Sequence, residues 1–122
     1  MNAAAKIVAD AAGLAALARR IKGGRTVLVQ GHFNTIHPGH LRFLEYARSR
    51  GDRVVALVLS EEQARAHWPD ARLFAQDERC HALAAQADVD HVIALEPLAF
   101  ADVVTALKPT AFILGKEFEE DY

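Results

Sequence analysis

Three histidines and two glycines fall within ten residues, in the segment Gly31-His-Phe-Asn-Thr-Ile-His-Pro-Gly-His40. Proline is tolerated in the first turn of a helix, so His37-Pro-Gly-His40 predicts a helix start that carries both of its histidines. Backbone N–H groups and the helix dipole favour an anion at such a start, and Gly39 lets a phosphate approach the backbone closely. The segment is therefore predicted to hold the phosphates of a nucleoside triphosphate.

The candidate catalytic residues are His37 and His40, because imidazoles at one helix end, which we expect to be solvent-accessible, can donate hydrogen bonds to phosphate oxygens. No side chain of the segment is an evident nucleophile. The chemistry indicated is in-line displacement at the α-phosphorus, to which the site contributes position and charge. A metal-binding module built from His32, His37 and His40 is an alternative of a different class, since imidazole is a common metal ligand.

The elements that must position this segment alternate between short apolar runs and helical patterns. The runs cover residues 26–30, 53–59, 91–95 and 111–114, and each is apolar almost throughout. Such strands are typical of a parallel sheet covered by helices on both faces. The pattern predicts an α/β fold, a Rossmann-like doubly wound parallel sheet, with the histidine segment in the loop after the first of these strands.

The predicted helices begin at recognisable caps. Pro38 opens a helix that Gly51 stops, Ser60-Glu-Glu-Gln63 forms a capping box, Asp77 is expected to cap a helix over 78–87, and a last helix covers 99–107. The alanine-rich residues 3–22 are predicted to form one extra N-terminal helix that ends at Gly23-Gly24. The expected division is an N-terminal helix over 1–24 and one α/β domain over 25–122.

Composition narrows the classes of function. A chain of 122 residues is the size of one domain, and no apolar run is long enough to span a bilayer. The net charge of −2 gives no field that would gather nucleic acid or anionic lipid. Cys80 is the only cysteine, which favours a reducing cytoplasm. We expect a cytoplasmic domain with no nucleic-acid or membrane partner.

Gly31-His-Phe-Asn34 followed by His37-Pro-Gly-His40 resembles the G-x-F-D-x-x-H-x-G-H motif of the cytidylyltransferase-like nucleotidyltransferases. Further stretches resemble the family in the same order, and together they span about residues 25–122. These stretches are Ala75-Gln-Asp-Glu-Arg79, Ala87-Asp-Val-Asp90, Leu107-Lys-Pro-Thr110 and Gly115-Lys-Glu-Phe-Glu119.

The resemblance implies transfer of CMP or AMP from CTP or ATP to a small phosphorylated or alcohol acceptor, such as a sugar phosphate, with release of pyrophosphate. Mg²⁺ is expected to accompany the triphosphate. His37 and His40 are then the catalytic residues. The implied nucleotide and phosphate contacts are Gly31, His32, Phe33, Asn34, Gly39, Arg79 and Lys116.

The sequence departs from the family pattern in three places. Asn34 stands where the family usually has aspartate, which keeps an acceptor oxygen but loses the charge. The loop 60–76 lacks the usual phosphate-reaching lysine and offers Arg65 and Arg72 instead. The family also continues beyond the position of Tyr122, so we expect a fused C-terminal domain and an isolated chain with weak or no activity. A nucleotide-binding domain without turnover is therefore the second hypothesis for the function.

The N-terminal helix is also a surface through which two copies could form a homodimer.

Overall fold

The fold is a five-stranded sheet in which every pair of neighbouring strands is parallel. A computed structural model describes residues 2–114 and gives the strand order β1-β4-β3-β2-β5. The strands are β1 (Ile7–Val8), β2 (Thr26–Gly31), β3 (Arg53–Val58), β4 (His91–Ala94) and β5 (Ala111–Leu114). The predicted Rossmann-like α/β class is confirmed, and the four predicted strands are present with ends that differ by at most one residue.

Helices cover both faces of the central strands β2, β3 and β4, which is why these strands are apolar along most of their length. They are α1 (Ala11–Arg20), α2 (Pro38–Ser49), α3 (Glu61–His67), α4 (Gln76–Ala84) and α5 (Phe100–Leu107). Alternate strand residues enter two cores. Val27 and Val29 pack with residues of α2 and α4, whereas Leu28 packs with residues of α1, α3 and α5. The two fully buried layers fix the position of the loop that follows β2.

The N-terminal segment is not the single helix predicted over 3–22. A 3₁₀ turn over Ala3–Lys6 leads into β1, where Ile7 pairs with Val92 of β4, and Asp10 then caps the N-terminus of α1 by accepting from the Gly13 amide at 2.7 Å. Strand pairing of the β-branched Ile7-Val8 outweighs the alanine-rich helical pattern. The predicted division at residue 24 is therefore corrected, because residues before it supply an edge strand of the same sheet.

The helix predicted over 78–87 begins earlier and has a different cap. Helix α4 starts at Gln76, and Asp77 lies inside its first turn. The Gln76 amide donates to Glu61 Oε1 at 2.9 Å, and its side-chain Nε2 donates to the carbonyl oxygens of Val58 and Leu95. A carboxylate from α3 thus satisfies an N–H group at this helix start, which no local pattern indicates.

The loop after β2 lies where the direction of chain progression changes. From β2 the chain moves outward to β3 and β4, and then returns to β5 on the other side of β2. Ligands of open α/β sheets bind outside the carboxyl ends of the strands at such a switch point. None of the helices in residues 2–114 has the length and apolarity needed to cross a membrane.

Candidate nucleotide-binding site

The buried side chain of Phe33 anchors the turn between β2 and α2 in the hydrophobic core. Its ring is 1% exposed and belongs to the core under α2 and α4, while its backbone has a φ of 49°. The left-handed conformation is unfavourable for a bulky residue and is kept here by burial of the ring. Phe33 therefore shapes the turn, as the resemblance implies, by turning the chain sharply after Gly31.

His37 and His40 form a capping box at the start of α2. The Gly39 amide donates to His37 Nδ1 at 3.0 Å, and the His37 amide donates to His40 Nδ1 at 3.3 Å. The two ring centroids lie 3.9 Å apart. An Nδ1 atom that accepts from a backbone N–H is unprotonated in a neutral ring, so the proton is on Nε2. Each imidazole therefore presents an Nε2–H donor.

Two expectations about this helix start are corrected. The Gly39 amide is not free for an anion, because it already donates to the His37 ring. His40 is not solvent-accessible as expected, since it is 8% exposed and lies under the turn, whereas His37 is exposed. Gly39 is required for a further reason: a Cβ there would lie 2.8 Å from His37 Cε1. The imidazole rings, rather than free backbone N–H groups, therefore offer the hydrogen-bond donors at this helix start.

The pKa of His40 is lowered to about 4, first by burial and then by the nearby His37 and His32. Burial, followed by the charge of Arg79, also lowers the pKa of His32. Both rings are therefore neutral donors near neutral pH. A bound anion would favour their protonated forms, so anion binding and proton uptake are coupled at this site.

This pKa shift predicts a pH-dependent stability. Between the unfolded value of 6.5 and the folded value of about 4, the unfolded chain binds more protons at His40 than the folded chain does. The contribution of His40 is complete above the unfolded pKa, falls by about 2–3 kcal/mol through this window and is constant below the folded pKa. In urea unfolding, the wild type should lose more stability than His40→Gln between about pH 7 and about pH 4. Equal losses in the two proteins would contradict the assignment.

Asn34 and His32 face the loop between α3 and α4, residues 68–75, which we call the strap. Asn34 Nδ2 donates to the Arg72 carbonyl and Asn34 Oδ1 accepts from the Phe74 amide, both at 2.7 Å. His32 Nδ1 accepts from the Asn34 amide at 3.0 Å, and its ring lies edge-on to Trp68 with centroids 4.3 Å apart. The strap therefore lies against the turn.

Arg79 is placed differently from the phosphate contact that the resemblance implies. Its side chain is fully buried, and it donates to the carbonyl oxygens of Phe74, His32 and Leu59, each at 2.8 Å. Nη2 has no hydrogen-bond partner and lies 3.8 Å from Glu61 Oε1. In this structure the guanidinium ties together the chain segments that follow β2 and β3 and the strap.

The other cations predicted near the phosphates are Arg65, Arg72 and Lys116. Arg65 donates to the Ala71 carbonyl at 3.0 Å and stabilises the strap from α3. The Arg72 side chain is exposed, and its own carbonyl is bound by Asn34 next to the turn. Arg72 is therefore an exposed strap cation whose backbone is held next to the turn. Lys116 and the rest of the predicted turn 115–119 lie outside the described residues.

Cys80 lies outside this site, and the geometry of the three histidines does not favour a metal centre. Cys80 is buried, and burial raises the pKa of its thiol to about 11, so it is a packed thiol. Within residues 2–114, no three His, Cys, Asp or Glu side chains come together in a way that could hold a metal ion. The ring of His32 lies against Trp68, whereas those of His37 and His40 lie against each other. A metal site made from these three histidines is not supported.

Two pockets flank the turn at the carboxyl edge of the sheet. One, of about 430 Å³, is largely apolar and is lined by residues that include Gln30, Leu59, Phe100, Phe112 and Leu114. The other, of about 590 Å³, lies between the turn and α4, and its lining includes Asn34, Ile36, Phe74, Arg79 and Ala82. Both volumes are within the range of small-molecule sites. The turn therefore stands between two places where parts of ligands could bind.

A doubly wound parallel sheet with a histidine-bearing helix start at its switch point defines a Rossmann-like α/β domain with a candidate phosphate-binding turn. The protein-family model described as Cytidylyltransferase-like matches residues 28–122. The chain belongs to the cytidylyltransferase-like family.

In the curated relatives, the region that matches this chain is part of a much longer chain. The bifunctional protein HldE of Trichlorobacter lovleyi is 33% identical over 102 residues, which are 83% of this chain and 21% of that protein. HldE of Geobacter sulfurreducens is 31% identical over 105 residues, with 85% and 21% covered. The chain thus spans about a fifth of the length of these curated relatives.

A solved structure supports the fold independently. The lipopolysaccharide core biosynthesis protein from Thermoplasma volcanium superposes with a TM-score of 0.67 at 24% sequence identity. The superposition covers 74% of this chain and 73% of that one. Its sheet architecture is therefore shared by the present domain.

Proposed function

We propose that this domain transfers CMP or AMP from the corresponding triphosphate to a small phosphorylated or alcohol acceptor, with release of pyrophosphate. The observation that carries the proposal is the pair of adjacent imidazoles, 3.9 Å apart between ring centroids, whose Nδ1 atoms accept from backbone amides at a helix start. Membership of the cytidylyltransferase-like family supports the transferase class. A sugar phosphate is the favoured acceptor, because the structural neighbour is a lipopolysaccharide core biosynthesis protein and such cores are built from sugars.

The geometry suggests how the chain would act on the triphosphate. An acceptor oxygen attacks the α-phosphorus, the bond to the bridging oxygen breaks, and pyrophosphate leaves with the electron pair. A hydroxyl acceptor also releases its proton to solvent. The Nε2–H groups of His37 and His40 donate to phosphate oxygens and offset the charge that develops as pyrophosphate departs. The N-terminal end of the α2 dipole acts in the same direction.

The two flanking pockets fit a reaction in which two substrates meet at the turn. The apolar pocket beside β5 suits a nucleoside, since bases bind in apolar cavities with few polar contacts. The pocket between the turn and α4 would then take the acceptor. Mg²⁺ would be carried mainly by the triphosphate, because residues 2–114 offer no cage of carboxylates for it.

A second candidate is a domain that binds nucleotide without turnover. Asn34 favours it, because its amide is engaged with the strap and the turn has no carboxylate at this position. Pyrophosphate release from the full-length protein, with CTP or ATP and a panel of sugar phosphates, glycerol phosphate and phosphocholine, tests both candidates. Turnover with one pair supports the transferase. Calorimetric binding of a triphosphate without pyrophosphate release for any acceptor would favour the second candidate.

A further inference from the structure

The strap is fastened to the phosphate turn at two places. Near its start, Trp68 lies against the ring of His32. Near its end, Asn34 bonds to the backbone on both sides of Leu73, through the Arg72 carbonyl and the Phe74 amide. Arg79 holds Phe74 from the other side by donating to its carbonyl. Two side chains therefore hold the strap at Phe74, one through its backbone amide and the other through its carbonyl.

The Asn34 contact has a strict chemical requirement. Its amide uses one donor and one acceptor at once, and both distances are 2.7 Å. An ionised aspartate has no donor and would place a negative oxygen against the Arg72 carbonyl oxygen. The isosteric change to aspartate would thus replace one attraction with a repulsion while keeping the size of the side chain. Only an amide satisfies both partners.

We propose that Asn34 is a positioning residue, an amide clamp that closes the strap over the phosphate turn. Its effect on transfer is exerted through the strap, which holds the exposed residue Arg72 next to the turn by its backbone carbonyl. This part rests on the proposed function, whereas the clamp itself does not. The clamp gives the asparagine at this position a role that an ionised aspartate could not perform.

Closure of the strap can be measured without any activity. Trypsin cleaves after arginine, and Arg72 is exposed in the strap. Asn34→Ala loses both hydrogen bonds, whereas Asn34→Asp loses one and gains a repulsion, so opening of the strap and cleavage after Arg72 should become about 10-fold to 100-fold faster in both variants. Acrylamide quenching of Trp68, the only tryptophan of the chain, should increase in the same two variants. Asp70→Asn, which alters an exposed charge on the same strap, should behave as the wild type.

The comparison of the two Asn34 variants is the decisive part. The clamp requires Asn34→Asp to be cleaved at least as fast as Asn34→Ala, although aspartate is the closer match in shape. Wild-type cleavage and quenching in Asn34→Asp would overturn the proposal. Cleavage spread over many sites, with a lower melting temperature, would also overturn it, because Asn34 would then support the whole fold rather than the strap.

The effect of the clamp on nucleotidyl transfer is measured with a double-mutant cycle in the full-length protein. Arg72→Ala removes the cation but keeps the carbonyl that Asn34 binds. If Asn34 acts by holding Arg72, each single variant lowers kcat/KM about 10-fold and the double variant loses little more than either alone. Additive losses would overturn the route through Arg72. If the full-length protein shows no turnover, the proteolysis and quenching results still test the clamp. Only the proposed function is then contradicted.

Discussion

Replacing the site imidazoles with residues that preserve the capping box should abolish most of the turnover and leave the fold intact. Serine is a preferred N-cap residue, and glutamine at the third helical position completes a capping box with it. His37→Ser and His40→Gln therefore keep acceptors for the helix start but remove the paired imidazole donors. Each variant should lower kcat about 10²–10³-fold, the usual effect of losing one transition-state donor.

The stability of these variants separates catalysis from folding. We expect the free energy of unfolding to stay within about 1 kcal/mol of the wild type at neutral pH, because the N-terminal amides of α2 remain capped. His81→Gln is the matched control, since His81 is an exposed histidine on α4. Pyrophosphate release and urea unfolding of the full-length protein provide the measurements. Near wild-type turnover in either site variant would remove that histidine from the mechanism.

The double variant tests whether the histidines act together. Their rings are 3.9 Å apart and share one helix start, so they are placed to bind the same phosphate group. Residues that act as a unit give non-additive losses. His37→Ser combined with His40→Gln should therefore lose less activity than the product of the two single losses. Fully multiplicative losses would indicate that each ring contacts the reacting phosphates independently.

Local patterns were sufficient for the central strands and for the helix start that carries the histidines. A continuous apolar run such as 53–59 is buried on both faces whatever its neighbours are, so its structure follows from its own residues. The position of the turn at the carboxyl edge follows from the βα order. Family resemblance added the transferase class, which the comparison with known families supports.

The errors concern residues whose structure depends on distant partners. Ile7-Val8 lies in an alanine-rich stretch, but it pairs with β4, more than eighty residues along the chain. The β-branched pair followed by Asp10, a good N-cap residue, was the signal that could have divided this segment. The start of α4 is set by contacts with Glu61, Val58 and Leu95, which no spacing in 75–80 indicates.

For Asn34 and Arg79, the position in the family motif was not sufficient to predict what the side chain binds. Their side chains bond to backbone atoms that lie twenty to fifty residues away along the chain. Which carbonyl oxygen a guanidinium reaches is decided by the packing of strands and helices, not by neighbouring residues in the sequence. For Arg79 this difference can be tested directly.

Removing the Arg79 guanidinium should strongly destabilise the domain. The group is completely buried and serves three carbonyl oxygens, so Arg79→Met leaves those oxygens without this donor in a place that water does not reach easily. We expect the free energy of unfolding to fall by about 3–5 kcal/mol, because three hydrogen bonds from a charged donor are lost. Arg42→Met, the same change at an exposed position of α2, should alter it by less than about 0.5 kcal/mol.

Arg79→Lys distinguishes the structural role from the phosphate contact that the resemblance implies. A lysine keeps the charge, but it cannot reproduce the planar arrangement of donors that reaches three carbonyl oxygens. The structural role predicts a loss of about 2 kcal/mol in unfolding free energy, with the melting-temperature increase on adding CTP or ATP largely retained. A phosphate contact predicts the reverse, a stable variant whose melting temperature no longer responds to the triphosphate. The second result would restore Arg79 to the phosphate-binding residues and would mean that the guanidinium turns away from the strand ends when the triphosphate binds.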